Sequence, residues 1–272
     1  MTDKKYELTE EVNGAKLYRI RALKDFSDVK AGDLGGFIER EENLSQEGNA
    51  WVYDNAQLFG EVRVFENAQV RGEATIQNFA YIYGNAVVRD QAIVMDNAVI
   101  FGNAVVRHSA YISHNARVSE NAKISERAWI HNSANITGNA EVRGCARVYN
   151  QAIVSGDAII GGAARVSGNA LVKGHSTLTD NAVARGDTSF TGDAFITYKE
   201  HITVSGIGAG SAVLTAYQNT YKKVEISDQV NAYSLEEFEN LVDLIKEKND
   251  EDYQQYNAAV QLIKAKFGLT EN

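Results

Sequence analysis

The side chains of this 272-residue chain that could do chemistry are five histidines, one cysteine and regularly spaced arginines. His108 has Asp90 eighteen residues before it and Glu126 eighteen after it. A carboxylate beside an imidazole orients it and favours its charged form, which is one way to build a general base. His114, His131 and His175 are further imidazoles of the same stretch. His114 and His131 are seventeen apart. A zinc site needs at least three converging protein ligands; no third ligand converges on this pair, and no metal is expected. Cys145 has Arg127 and Ala163 at eighteen-residue spacing. The guanidinium could lower the thiol's pKa, but no histidine is in register, so a plain surface thiol is expected. Arg71, Arg89 and Arg107 recur on the same interval. Like charges one strand apart repel unless an anion or a partner's carboxylates lie across them, which makes these three candidate binding residues.

All of this depends on eighteen residues being one step of a stack. From Asn49 to Tyr198 the chain cuts into 25 hexads without insertion or deletion. Position two is Ala in 22, position four is Val, Ile or Leu in 23, position six is Gly in 12 and position one is Asn in 11. Side chains alternate along a strand, so positions two and four share one face and positions three and five the other. Ala fits where walls converge and the branched residue fills the middle. Positions six and one make a corner, where Gly and Asn tolerate positive φ. Three such sides close a coil of eighteen residues, and successive coils stack as parallel strands. The chain has no proline, as expected where nearly every backbone N–H serves a ladder.

Composition narrows the function. The net charge of -9 divides as -3 over residues 1–48, -1 over 49–200 and -5 over 201–272. A balanced repeat region lacks the excess positive charge that binds nucleic acid. No apolar run approaches a membrane span. "MTDKKYELTEEV" has no apolar core of a signal peptide, and one cysteine allows no internal disulfide, so a cytoplasmic protein is expected.

Residues 1–48 read as an N-terminal β cap, with a hairpin turning at Asn13-Gly14. Residues 201–272 read as a small α+β unit. It has strands in "HITVSG" and "AVLTAYQNTYKKVEI", turning near Asn219. Then come a helix opened by a Ser234–Glu237 capping box and a second helix closed by Gly268. Residues 49–200 form the coil array between them.

The hexad pattern resembles the hexapeptide-repeat family. The resemblance implies a mainly β fold, a left-handed parallel β-helix of about eight coils. The lead-in from Phe26 to Asp54 resembles that of the YdcK-like hexapeptide transferases and of phage and prophage proteins with the same array. "ITVSGIGAGSAVLTAY" and "SLEEFENLV" resemble the C-terminal unit of those phage proteins. For acyltransferases of this family the resemblance implies a histidine general base, here His108 or His114, and an acyl-CoA donor. It also implies homo-oligomers, with a trimer favoured.

One outer face carries Phe65, Tyr83 and Phe101 at position five, with Tyr81 and Val99 beside them. Such a patch usually marks an interface, and self-association is expected there. Ile93, Met95, Tyr111 and Trp129 on another side could extend it. The unbroken coils favour a non-catalytic oligomeric binding or scaffold protein. The resemblance to phage and prophage proteins implies such an origin for it and action on a host protein or small anionic ligand; no cofactor, nucleic acid or membrane partner is expected. The alternatives are an acyl-CoA-dependent acyltransferase and a structural spacer.

Overall fold

Six-residue periodicity in the sequence becomes six-residue spacing of strands in the structure. A computed structural model describes residues 4–197, 201–246 and 248–269. Tyr198, which ends the last hexad, and the expected boundary at 200 lie outside the described residues. The protein is mainly β, a left-handed parallel β-solenoid of about nine turns with N-terminal strands and a small C-terminal α+β part. Two compact units are present, 1–150 and 151–272.

In the first unit, β1 (Tyr6–Val12), β2 (Tyr18–Ala22) and β3 (Leu34–Ile38) form an antiparallel meander. The β1–β2 loop is longer than a two-residue turn. Lys16, not Gly14, takes the positive φ, and Asn13 Oδ1 accepts from Ala15 N and Leu17 N. Strand β3 then pairs in parallel with the strand Gln57–Leu58, and Leu44 bridges Val64. The first rung is therefore laid before Asn49, inside the segment read as a cap. Gly35 and Gly36, inside β3, allow this close approach of the chain. A Cβ on Gly35 would lie 2.6 Å from Trp51 and Ile20, and one on Gly36 2.5 Å from Ala56 O.

From β4 (Trp51–Val52) onward, two-residue strands recur every six residues. Within this unit three parallel ladders form, through Trp51 to Glu141, Gln57 to Arg147 and Arg63 to Asn135. Every position-two and position-four side chain from Ala50 to Val148 is at most 1% exposed. Burying a Val or Ile side chain contributes roughly 1.5–3 kcal/mol, so the core stabilises rung by rung. Positions one, three and five donate their N–H groups to the next coil, as at Asn85 to Gly102 O, Val87 to Ala104 O and Arg89 to Val106 O.

The corners differ from the expectation in one respect. Only position six is left-handed: Asp54, Gly60, Glu66 and their counterparts through Asn150 have φ between 54° and 72°. Position-one asparagines instead build a side-chain file. Asn49, Asn67, Asn85, Asn103 and Asn121 each donate Nδ2 to the Oδ1 of the asparagine one coil on, at 3.0 Å.

In the second unit the same two-residue strands run from Ile153–Val154 to β28 (Phe195–Ile196). An antiparallel sheet follows, β29 (His201–Ile207), β30 (Ala212–Gln218), β31 (Val224–Ser227) and β32 (Ala232–Ser234). Helices α1 (Leu235–Lys246) and α2 (Asp250–Phe267) pack on it through Phe238, Val242, Val260 and Ile263. The Ser234–Glu237 box and the left-handed Gly268 end are both present. The turn at Asn219 is present too; β32 was not foreseen. Among the described residues no helix is long and apolar enough to cross a membrane.

Candidate functional site at a coil corner

The left-handed position-six residues leave a backbone N–H that the ladder does not use, and side chains from the preceding coil accept it. Asp54 Oδ2 accepts from Gly72 N at 2.8 Å, Glu66 Oε2 from Gly84 N at 2.8 Å and Glu120 Oε2 from Gly138 N at 2.9 Å. Both position-six histidines of the first unit receive this cap: Asp90 Oδ2 accepts His108 N at 2.9 Å, and Asp96 Oδ2 accepts His114 N at 3.0 Å.

The two imidazoles then diverge. His108 continues the file: its Nδ1 accepts Glu126 N at 3.3 Å. The neutral ring therefore carries its hydrogen on Nε2, which lies 3.9 Å from Asp90 Oδ2. With one lone pair engaged and the other nitrogen protonated, His108 cannot accept a proton without losing a corner bond. The expected Asp90–His108–Glu126 contact exists, but it is a corner cap, and Glu126 takes part through its backbone.

His114 has no such duty. Its Nδ1 lies 3.0 Å from Ser113 Oγ and 3.7 Å from Asp96 Oδ2. Ser113 is buried, and Asp96 Oδ1 is fixed by Asn78 Nδ2 at 2.9 Å. With the Nδ1 hydrogen turned to this pair, Nε2 keeps its lone pair; it has no partner among the described residues, and the side chain is 60% exposed. Asn78, Phe79, Asp96, Asn97, His114 and Asn115 line a depression of about 370 Å³. Phe79, 55% exposed, supplies an apolar wall. An imidazole with one nitrogen held by a carboxylate and the other open can act as a general base. The eighteen-residue rule that paired His108 with Asp90 also pairs His114 with Asp96, a contact the sequence analysis passed over. Ser113 and Phe79 carried no signal of their own.

The remaining candidates fall as follows. The His131 ring is 6.2 Å from that of His114, but it stacks on Tyr149 at 5.0 Å with planes 2° apart. His175 lies in the second unit, 3.4 Å from Asp157 Oδ2. Cys145 is exposed. Among the described residues no three metal-ligating side chains converge. The arginine column loses its first member: Arg71 is held by Asp28 Oδ2 at 3.1 Å and lies over the Tyr53 ring at 3.7 Å. Tyr53 donates to Asp28 Oδ1 at 2.6 Å, which holds the Asp28 carboxyl below its usual range. Arg89 and Arg107 stay on the face, Arg89 with a distant contact of 3.9 Å to Asp90. Phe65, Tyr83 and Phe101 form a continuous stack at 5.0 and 5.1 Å. Tyr81 is 44% exposed, and Val99 is half-buried.

The chain has a hexapeptide-repeat parallel β-solenoid fold. No established family profile matches it. Over 69 residues it is 48% identical to a protein of Escherichia coli (strain K12) described as "Uncharacterized acetyltransferase YdcK". The match covers 21% of this chain and 21% of the relative, so the chain spans about a fifth of the length of the curated relative it matches. A solved structure, the UDP-N-acetylglucosamine acyltransferase from Campylobacter jejuni, aligns over 85% of this chain and 82% of its own at 17% identity, with a TM-score of 0.27.

Proposed function

We propose that this protein is a hexapeptide-repeat acyltransferase that moves a short acyl group from an acyl-CoA thioester to an amine or hydroxyl, with His114 as general base. The carrying observation is the His114 corner, an open Nε2 beside an apolar wall with Nδ1 backed by Ser113 and Asp96. The name of the Escherichia coli relative supports the donor class. In the step proposed, Nε2 takes the proton of the acceptor as its nitrogen or oxygen bonds to the thioester carbon. The C–S bond then breaks, and the departing thiolate takes that proton back from the imidazolium. The Asp96 carboxylate at 3.7 Å steadies the imidazolium in between.

A second reading, a non-catalytic binding protein for a small anion or a host protein, is favoured by Arg89 and Arg107, to which no carboxylate comes closer than 3.9 Å among the described residues. Thiol release from acetyl-CoA, followed across a panel of amines and alcohols, separates the two. The enzyme reading expects turnover that falls about 10²–10⁴-fold in His114→Asn and survives in His108→Asn. It also expects a melting temperature that rises with CoA. No thiol release with any acceptor and no shift at millimolar CoA would sink it. Stabilisation by pyrophosphate that disappears in Arg89→Ala/Arg107→Ala would support the second reading.

A further inference from the structure

The loop between β1 and β2 holds a glycine that its own conformation does not need. Lys16, and not Gly14, takes the left-handed φ there, at 64°. A Cβ built on Gly14 meets nothing within 4 Å. The bare Cα of Gly14 therefore serves neither the turn nor the packing. Beside it the Asn13 side chain is held by its oxygen alone. Oδ1 accepts from Ala15 N at 2.9 Å and from Leu17 N at 3.1 Å. The Asn13 main chain is fixed too, N donating to Leu17 O at 3.0 Å and O accepting from Lys16 N at 2.9 Å. Two groups have no partner among the described residues, Asn13 Nδ2 and the N–H of the exposed Gly14. Corner asparagines show the reverse. Asn67 and Asn103 spend Nδ2 on the next coil at 3.0 Å. The alanine after each donates its N–H to main-chain oxygen, Ala68 to Phe65 O at 3.3 Å and Ala104 to Phe101 O at 3.4 Å.

We propose that Asn13 is a self-modification site, at which the folded chain closes the Gly14 nitrogen onto the Asn13 side chain and loses the amide as ammonia. Gly14 N bonds to Asn13 Cγ while its proton passes to water. Negative charge gathers on Oδ1, the atom that Ala15 N–H and Leu17 N–H already address, so the turn supplies the donors of an oxyanion hole. The Cγ–Nδ2 bond then breaks, and the departing nitrogen takes up a proton from water. A five-membered succinimide remains. Water adds to one of its two carbonyl carbons and opens the ring. Cleavage between Cγ and nitrogen gives aspartate at position 13. Cleavage between the main-chain carbonyl carbon and nitrogen gives isoaspartate, with the chain running through the side-chain carbon. The two products fit differently. Aspartate keeps an oxygen for both N–H donors and adds charge to those bonds, which strengthens them. Isoaspartate gives that oxygen up to the main chain and lengthens the loop between the paired residues Val12 and Tyr18.

Peptide mapping by mass spectrometry tests this on the whole chain, incubated folded at mildly alkaline pH, with enzymatic isoaspartyl methylation to mark the isomer. Asn13 is expected to convert, while Asn67 and Asn103 of the same digest stay intact. Conversion should fall at least about tenfold in Gly14→Ala, whose methyl group crowds the attacking nitrogen. Circular dichroism checks that this variant is folded. A parallel incubation in urea removes the turn and its two donors, and Asn13 is expected to convert there no faster than in the folded chain. Asn13→Asp should keep the native urea midpoint or raise it, whereas the isoaspartate fraction of an aged sample unfolds at lower urea. An Asn13 that stays intact in the folded chain, that converts faster in urea, or that converts at the native rate in Gly14→Ala would each overturn the assignment.

Discussion

His108 and His114 sit six residues apart at the same position of their hexads, and one hydrogen bond separates their chemistry. Glu126 N–H occupies Nδ1 of His108, whereas among the described residues nothing claims Nε2 of His114. The corner role of His108 is one that Asp and Glu fill elsewhere. His108→Asp is therefore expected to leave the urea midpoint unchanged, while His108→Ala, which strips the acceptor from Glu126 N, lowers stability by about 0.5–1.5 kcal/mol. The sequence could show both histidines at a corner and could not show which lone pair was spent. That difference rests on whether the coil above presents a backbone donor toward the ring. The same limit applies to Arg71, whose partner Asp28 is 43 residues away in the lead-in and follows no period. Gly36 marks the opposite case. A Cβ there meets main-chain oxygen at 2.5 Å, so Gly36→Ala is expected to cost about 1–3 kcal/mol or more, measured by denaturant titration.

At the scale of elements, each cap contains a buried base. Lys5, 1% exposed, donates to Ala50 O at 2.9 Å and to Glu47 O and Gly48 O at 3.4 Å, with its ammonium 5.2 Å from the Phe26 ring. It thereby serves the carbonyls where the chain enters its repeats. Burial, with Lys24 nearby, pulls its pKa down to about 8. A base bound more weakly by the folded state opposes folding below that pH, and the opposition fades as pH rises toward the unfolded value. Unfolding free energy is thus expected to rise by roughly 1–2 kcal/mol between pH 8 and 9.5, a slope absent in Lys5→Met. Tyr6, whose pKa burial raises, brings the opposite trend at more alkaline pH. In the second unit burial, then Lys266 and Arg185, pull His201 down to about 4, and its ring meets Phe190 edge-on at 5.0 Å. Here stability is complete above about pH 6.5 and is lost as pH falls toward 4. Roughly 2 kcal/mol should disappear between pH 7 and 5, and His201→Phe should remove that dependence. Helices α1 and α2 were legible because their caps and apolar spacing are local. Strand β32 was not: three residues between a turn and a helix leave no periodic trace.

For the molecule as a whole, the repeat makes the coil of eighteen residues the natural unit of change. Removing 85–102 from the first unit takes out one rung from each of its three ladders and rejoins residues of matching position. Such a chain is expected to keep its β circular dichroism and to unfold cooperatively with a smaller m-value, since less surface is buried. Removing seventeen residues instead shifts every later side chain out of phase, sends position-two alanines outward and should abolish the fold. The architecture was readable because one hexad states the rule and 25 repeat it. The function was less so, because an open lone pair belongs to one particular place in the stack, and an average hexad does not contain it.

The file of corner asparagines has a sense of travel. From Asn49 to Asn121 each amide gives its hydrogen onward and none gives it back. Their dipoles add along that edge, and each bond polarises the next. Replacing Asn85 by aspartate would put two acceptors where the relay needs a donor, leaving Asn103 facing an oxygen. The damage would be felt on one side of the lesion more than the other. An edge that looks uniform in composition is, electrically, an arrow.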